Sequence, residues 1–196
     1  MATSSKDTRT NIMDVAQDLI QRRGVNGMSF QDISDTVKIR KASIHHHFAS
    51  KQELVEMLVA RYREDFGALL TGILNSRAKA RGKLLRYGAL FEGTLQAGDQ
   101  DKSCLCGMLA AEVFSLDEGP VRSVRGFMQD NVAFLTKVLK EGKEDGSLVI
   151  RGSVEDSASM VLAAFEGGLL VARADGGPEQ LSAIIRNLVS LLTAKP

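Results

Sequence analysis

The chain has 196 residues, is 44% hydrophobic and carries a formal net charge of +1. That length holds one large or two small domains and buries roughly 70% of the unfolded surface, while the near-neutral balance rules out a generally basic chain, so any affinity for nucleic acid must come from a local patch. Proline is scarce, no alternating β-type run occurs, and the cysteines are Cys104 and Cys106 alone, which excludes a disulfide framework and points to an all-α fold of about nine helices.

The opening MATSSKDTRT is polar and lacks the apolar core of a signal peptide, and no apolar stretch approaches the length of a membrane span. A soluble cytoplasmic protein with no membrane partner is expected. Ile12, Val15, Ala16, Leu19 and Ile20 then fall at helical spacing and end at Gly24. Ser29 reads as an N-cap, with Asp32 three residues on in capping-box position, and Phe30, Ile33 and Val37 share one face. Val37-Lys38-Ile39-Arg40 make a tight turn plugged by Ile39. The next helix spans about 41–47, with Ile44 and Phe48 facing inward. Lys41, Ala42, Ser43, His45, His46 and His47 are left outside.

An exposed helical face rich in donors instead of apolar groups suits a helix laid in the major groove of DNA. Ordinary helix packing produces amphipathic pairs too, but here the charge is lopsided. Between Thr36 and Lys51 stand Lys38, Arg40, Lys41, Lys51 and every histidine of the chain, with no acidic residue. Phosphate contacts are short-range and are counted one by one, so such a patch suffices. Ser50 caps the following helix and Glu53 completes an S-x-x-E box, so the first turn offers free N–H groups and Lys51 to a phosphate. The candidate contacts to double-stranded DNA are therefore Ser29, Arg40, Lys41, Ser43, His45, His46, His47 and Lys51. Lys41 and His46 are assigned to base edges, and Lys51, Ser29 and His45 to phosphate. No metal and no cofactor are expected: successive side chains on a helix point about 100° apart, so the three histidines cannot close on one ion.

The segment GVNGMSFQDISDTVKIRKASIHHHFASKQELVEML resembles the DNA-binding domain of the tetracycline-repressor family. The most specific part runs from Ile44 through His47-Phe48 to Ser50-Lys51 and Leu54. The resemblance covers roughly the first sixty residues. It implies a two-domain, all-helical, homodimeric transcriptional regulator, usually a repressor released by a small molecule. Three positions depart from the family pattern. His45 and His46 stand where tyrosines are usual, Arg40 replaces a small polar residue, and Lys38 stands where glycine is frequent. If position 38 keeps a positive φ, lysine costs about 1 kcal/mol there.

Further helices are expected over about 51–74, 78–96, 103–116, 121–141, 153–174 and 179–194, with breaks at 98–102, 119–120, 142–152 and 176–178. The expected division is a helix-turn-helix domain over 1–50, with its motif at about 29–48, and a regulatory and dimerisation domain over 51–196. Leu181, Ile184, Ile185, Leu188, Val189, Leu191 and Leu192 form an apolar stripe, and the preceding helix carries Ala158, Ala163, Ala164, Gly167, Gly168 and Ala172. This pattern suits a homodimer interface through the last two helices; a core helix pair within one subunit has the same pattern. Phe66, Leu69, Tyr87, Phe91, Met108, Phe114, Phe127, Phe134 and Phe165 are candidates for a pocket that takes a small-molecule effector, and their spacing equally suits a plain core. Cys104 opens a helix, where a thiol ionises more easily; two small buried hydrophobes are the plainer alternative. A Cys104–Cys106 disulfide would be strained, because residues two apart on a helix point to nearly opposite faces.

The segment 103–113 is similar to that of the family's electrophile-sensing branch. The similarity implies Cys104 as a sensing thiol, with Arg173 nearest in place to that branch's lysine, and a small hydrophobic or electrophilic effector. An enzyme is not expected, because every histidine lies in 45–47 and none is left as a base for a thiol. A DNA-binding regulator without an effector is the alternative.

Overall fold

A computed structural model describes residues 5–97 and 99–193, so the expected helix end at Ala194 and the break expected to open at Gly98 lie outside the described residues. The helices are α1 (Ser5–Arg23), α2 (Phe30–Val37), α3 (Lys41–His47), α4 (Lys51–Leu74), α5 (Ala80–Gln96), α6 (Leu105–Ala111), α7 (Glu118–Glu144), α8 (Val154–Val171) and α9 (Gly177–Leu192). Pro120 sits in the first turn of α7, where its missing N–H has no intrahelical partner to lose. The expected helix over 103–116 is shorter: α6 stops at Ala111 and a 3-10 turn, Val113–Ser115, follows. The expected break at 176–178 is not a gap. A π-helical turn, Ala172–Gly176, joins α8 to α9 directly.

That continuity overturns one expectation. The run Val154–Leu192 contains an 18-residue window of mean hydropathy 1.3, long and apolar enough to span a membrane by those two measures. Only 44% of that window is buried. The reason is that α8 and α9 are apolar on the face that packs into their own unit and again on the face turned away from it.

The chain divides into two compact units, Met1–Arg63 with Leu105–Gly126, and Glu64–Cys104 with Phe127–Pro196. These units divide inside α4, at the start of α6 and inside α7. Hydrogen bonds tie the segment after α6 to the helix-turn-helix. Glu112 accepts from the backbone N–H groups of Val25 and Asn26, and Asn26 Nδ2 donates to Ser115 Oγ at 2.9 Å. Gln52 Nε2 donates to Ser115 O and Gln52 Oε1 accepts from Asp117 N, both at 3.1 Å.

In the first unit Ile12, Ala16 and Ile20 of α1 meet Ile33, Ile44, Phe48, Leu54 and Leu58 in a core from which solvent is excluded. Val15, Val37 and the turn residue Ile39 are half-buried. Arg9 lies 5.3 Å from the centroid of the Phe48 ring and donates to Met57 Sδ at 2.9 Å. The turn between α2 and α3 is closed by Ser34, whose hydroxyl donates to Ile39 O at 2.7 Å and whose carbonyl accepts from Lys38 N. Lys38 adopts φ 61° and ψ 40°, the left-handed conformation that glycine adopts without steric cost. Lys38→Gly is therefore expected to stabilise the protein by about 1 kcal/mol. Urea denaturation checks this; an unchanged or lower midpoint would show that the turn carries no strain.

The second unit is built around Tyr87 of α5. Its hydroxyl donates to Asn131 Oδ1 at 2.8 Å, and Asn131 Nδ2 donates to Phe127 O at 2.8 Å. Rings of Phe66, Phe91, Phe134 and Phe165 lie between 5.3 and 6.4 Å from the Tyr87 ring. Gly88 lets α5 approach α9 closely, because a Cβ there would collide with Ile185. Three candidates for the pocket lie elsewhere. Phe114 is fully exposed at 102% because the 3-10 turn carries it outward, and Leu69 is 51% exposed. Met108 belongs to the first unit. The apolar stripe of α9 divides: Leu181, Ile185, Val189 and Leu192 are buried in their own unit, Ile184 and Leu188 are half-buried, and Leu191 is exposed.

Candidate nucleic-acid interface

The capping box at α2 forms as the sequence predicts. Ser29 N and Ser29 Oγ both donate to Asp32 Oδ2, at 2.8 and 2.6 Å, and Ser29 Oγ accepts from Asp32 N at 3.3 Å. These bonds hold the Asp32 carboxyl below the usual range, so it stays charged. The Ser29 hydroxyl proton is thus directed at a carboxylate, which sets it apart from the other candidates for phosphate. At the start of α4, Ser50 Oγ accepts from Glu53 N at 3.1 Å, while the Glu53 carboxylate takes the N–H of Ala49 at 2.7 Å, one residue ahead of the expected box.

Ile44 and Phe48 anchor α3, and both are fully buried. With those two fixed, the helical period turns Arg40, Lys41, His45 and His46 outward, while Ser43 and His47 are half-buried. A shallow groove on this face is lined by Thr8, Ile39, Arg40, Ala42, Ser43, His46 and His47. No acidic residue lines it. The His45 ring stands edge-on to Phe30 at 5.0 Å, and the His46 and His47 rings are 5.5 Å apart. Those contacts limit the rotamers of the histidines without covering them. Thr8, near the start of α1, was not among the sequence candidates; nothing in its local pattern places it beside α3, because only the tertiary fold does.

Lys51 occupies a different position. It is half-buried, and its Nζ donates to Met28 O at 2.6 Å. Burial lowers its pKa, against the pull of Glu112 and Asp32. One N–H of this ammonium thus ties α4 to the loop before α2, and two remain. Glu112, absent from the sequence candidates, organises the same loop from the far end of the first unit. Gly24, with φ +77°, is left without a side chain where that carboxylate approaches, since a Cβ would collide with it.

The arrangement matches known proteins along its length. The family model for bacterial regulatory proteins of the tetR family matches residues 12–58. The solved structure of a TetR-family transcriptional regulator from Agrobacterium tumefaciens is 34% identical, with a TM-score of 0.93 over 97% of this chain and 100% of that one. A TetR transcriptional regulator from Legionella pneumophila is 28% identical, with a TM-score of 0.84 over 98% and 99% of the two chains. The HTH-type transcriptional repressor NemR of Escherichia coli K12 is 26% identical over 94% of each chain, and the structure of the reduced form of E. coli NemR superposes with a TM-score of 0.83 over 97% of this chain and 98% of that one. With its helix-turn-helix, its acid-free outer face on α3 and its agreement with these regulators from end to end, the chain belongs to the tetR family of bacterial transcriptional regulators.

Proposed function

We propose that this protein is a cytoplasmic repressor that binds a palindromic operator as a homodimer and releases it when a small hydrophobic molecule occupies the second unit. The observation that carries the DNA reading is the outer face of α3: Arg40, Lys41, Ser43, His45, His46 and His47 form a donor-rich surface whose groove has no acidic lining. Lys41 and His46 read base edges; Arg40, His45 and the remaining N–H groups of Lys51 meet phosphates. Dimerisation through α8 and α9 places two reading helices one turn of the duplex apart, about 34–36 Å. Its support is the apolar face those helices keep exposed, with Met160 56%, Leu170 41%, Val171 50% and Leu191 80% accessible. A ligand that favours one spacing of the two heads by a few kcal/mol suffices to release DNA.

Non-covalent binding is favoured over reaction at a thiol. Cys104 is only 4% exposed, so an electrophile has little access to its sulfur.

The test is selection of bound genomic fragments by the purified protein, followed by titration of the recovered palindrome. Lys41→Ala is expected to cost about 1–3 kcal/mol on that palindrome and to relax the preference at one base pair of each half-site. An equal loss on unrelated DNA would remove Lys41 from base readout and make it a phosphate contact.

A further inference from the structure

We propose that His45 and His46 meet DNA as imidazolium ions, so that the operator complex takes up protons as it forms and tightens as pH falls through neutrality. The inference rests on the repressor reading above and adds to it a dependence on pH that is built into the reading helix.

Two observations carry it. The first is placement. Ile44 and Phe48 are fully buried, and in that register α3 turns His45 and His46 into solvent and leaves His47 half-buried. The His45 ring stands edge-on to Phe30 at 5.0 Å, and the His46 ring packs against His47 at 5.5 Å. Both imidazoles are thus steadied at the surface that a duplex would cover. The histidines of the chain are these three, all on α3. Proton uptake by imidazole therefore belongs to the DNA-binding head.

The second observation is the charge around them. The groove lined by His46 and His47 has Arg40 in its wall and no carboxylate. Lys41 stands on the same exposed face, with Lys38 in the turn before it. Most carboxylates of the elements packed against α3 are already engaged. On α2, Asp32 holds Ser29, and Asp35 accepts from Gln31 Nε2 at 2.9 Å. On α4, Glu53 takes the N–H of Ala49 and Lys51 is tied to Met28 O. On α1, Asp14 and Asp18 pair with Arg61 and Arg22, Arg9 lies over the Phe48 ring, and Asp7 is exposed beside Thr8. The anions that would balance an imidazolium on this face arrive with the DNA. Neutral imidazole has one donor and one acceptor, whereas imidazolium has two donors and a charge. Phosphate oxygens only accept, as do N7 and O6 of guanine, so both favour the charged form. Free imidazole titrates near about pH 6.5, so a modest preference of DNA for that form brings protonation into the neutral range.

The test is a titration of the selected palindrome with the full-length protein at pH 6 and at pH 8, at one ionic strength. Binding is expected to be at least about tenfold tighter at pH 6. His45→Tyr combined with His46→Tyr keeps two rings and two donors that do not ionise in this range, and its two affinities should agree within about twofold. Glu166 is the control. Its carboxyl titrates at about 7 but belongs to the second unit, so Glu166→Gln is expected to keep the full pH dependence. Calorimetry of the unaltered protein at pH 7, in two buffers of different ionisation enthalpy, counts the protons directly even if the double variant binds poorly. Uptake of at least about two per dimer is expected. Equal affinities at the two pH values, no proton uptake, a pH dependence that survives in the double variant, or one that vanishes in Glu166→Gln would each overturn the inference. Operator binding that ignores pH sinks the inference alone. Failure to select DNA at either pH sinks the repressor reading and the inference with it.

Discussion

Glu112→Ala is expected to destabilise the protein by about 2–3 kcal/mol and to weaken operator binding, although the residue lies more than sixty positions along the chain from the reading helix. Its carboxylate accepts from two consecutive backbone N–H groups, those of Val25 and Asn26, at the point where the chain leaves α1. Val25 is 2% exposed, so its N–H has little access to water once the acceptor is gone. Glu112 also favours the charged form of Lys51, whose ammonium holds Met28 O two residues before α2. Removing one carboxylate therefore loosens both ends of the loop that sets α2, and through α2 the turn into α3. Amide exchange at Val25 and Asn26 should accelerate together with the fall in the urea midpoint. Unchanged exchange at those two amides would show that the loop holds itself. Gly24→Ala offers a coupled check: its added methyl collides with the Glu112 carboxylate, so it should harm the native protein more than it harms the Glu112→Ala protein.

The second large effect is one of pH. Glu166→Gln is expected to raise stability by about 3 kcal/mol at pH 8 and by little below pH 4.5. The Glu166 carboxyl moves from 4.5 to about 7 on folding, driven first by burial, with the Cys104 thiol acting the other way. The folded state thus holds the proton more tightly than the unfolded state. Below about pH 4.5 both states are protonated and there is no penalty. Between that point and pH 7 the unfolded chain ionises while the folded one resists, so stability falls as pH rises. Above pH 7 the penalty is complete. Tyr87 and Cys104 are the other titratable groups of this cluster. Burial pushes the Tyr87 hydroxyl well above its ordinary range, so it stays neutral throughout the window. Chemical denaturation at a series of pH values should give two curves that part between pH 4.5 and 7 and then run parallel. A constant gap across the series would mean that the carboxylate is not strained by burial.

Several features were readable in the residues because they are local. Ser29 and Asp32 close a capping box over three positions, and Ser50 with Glu53 caps α4 with the carboxylate shifted by one residue. Ile44 and Phe48, four apart, fix which side of α3 is buried and so which side is left to DNA. Lys38 takes the positive φ that the family resemblance, with glycine frequent at that position, left conditional. In each case the partners lie within one or two turns of helix, and the 3.6-residue period carries the information.

What the linear chain determined about this protein is its helices, their caps and the polar face of α3, since these depend on neighbours in sequence. Only the tertiary structure decided which distant groups meet. It brought Glu112 to the N–H groups of Val25 and Asn26, and it turned half of the α9 stripe inward and left Leu191 exposed. It carried Phe114 out into solvent and shut the carboxylate of Glu166 in beside Cys104. The physical reason is that burial and desolvation are properties of a closed packing of many segments. An isolated glutamate, alanine or phenylalanine codon carries no sign of which it will meet.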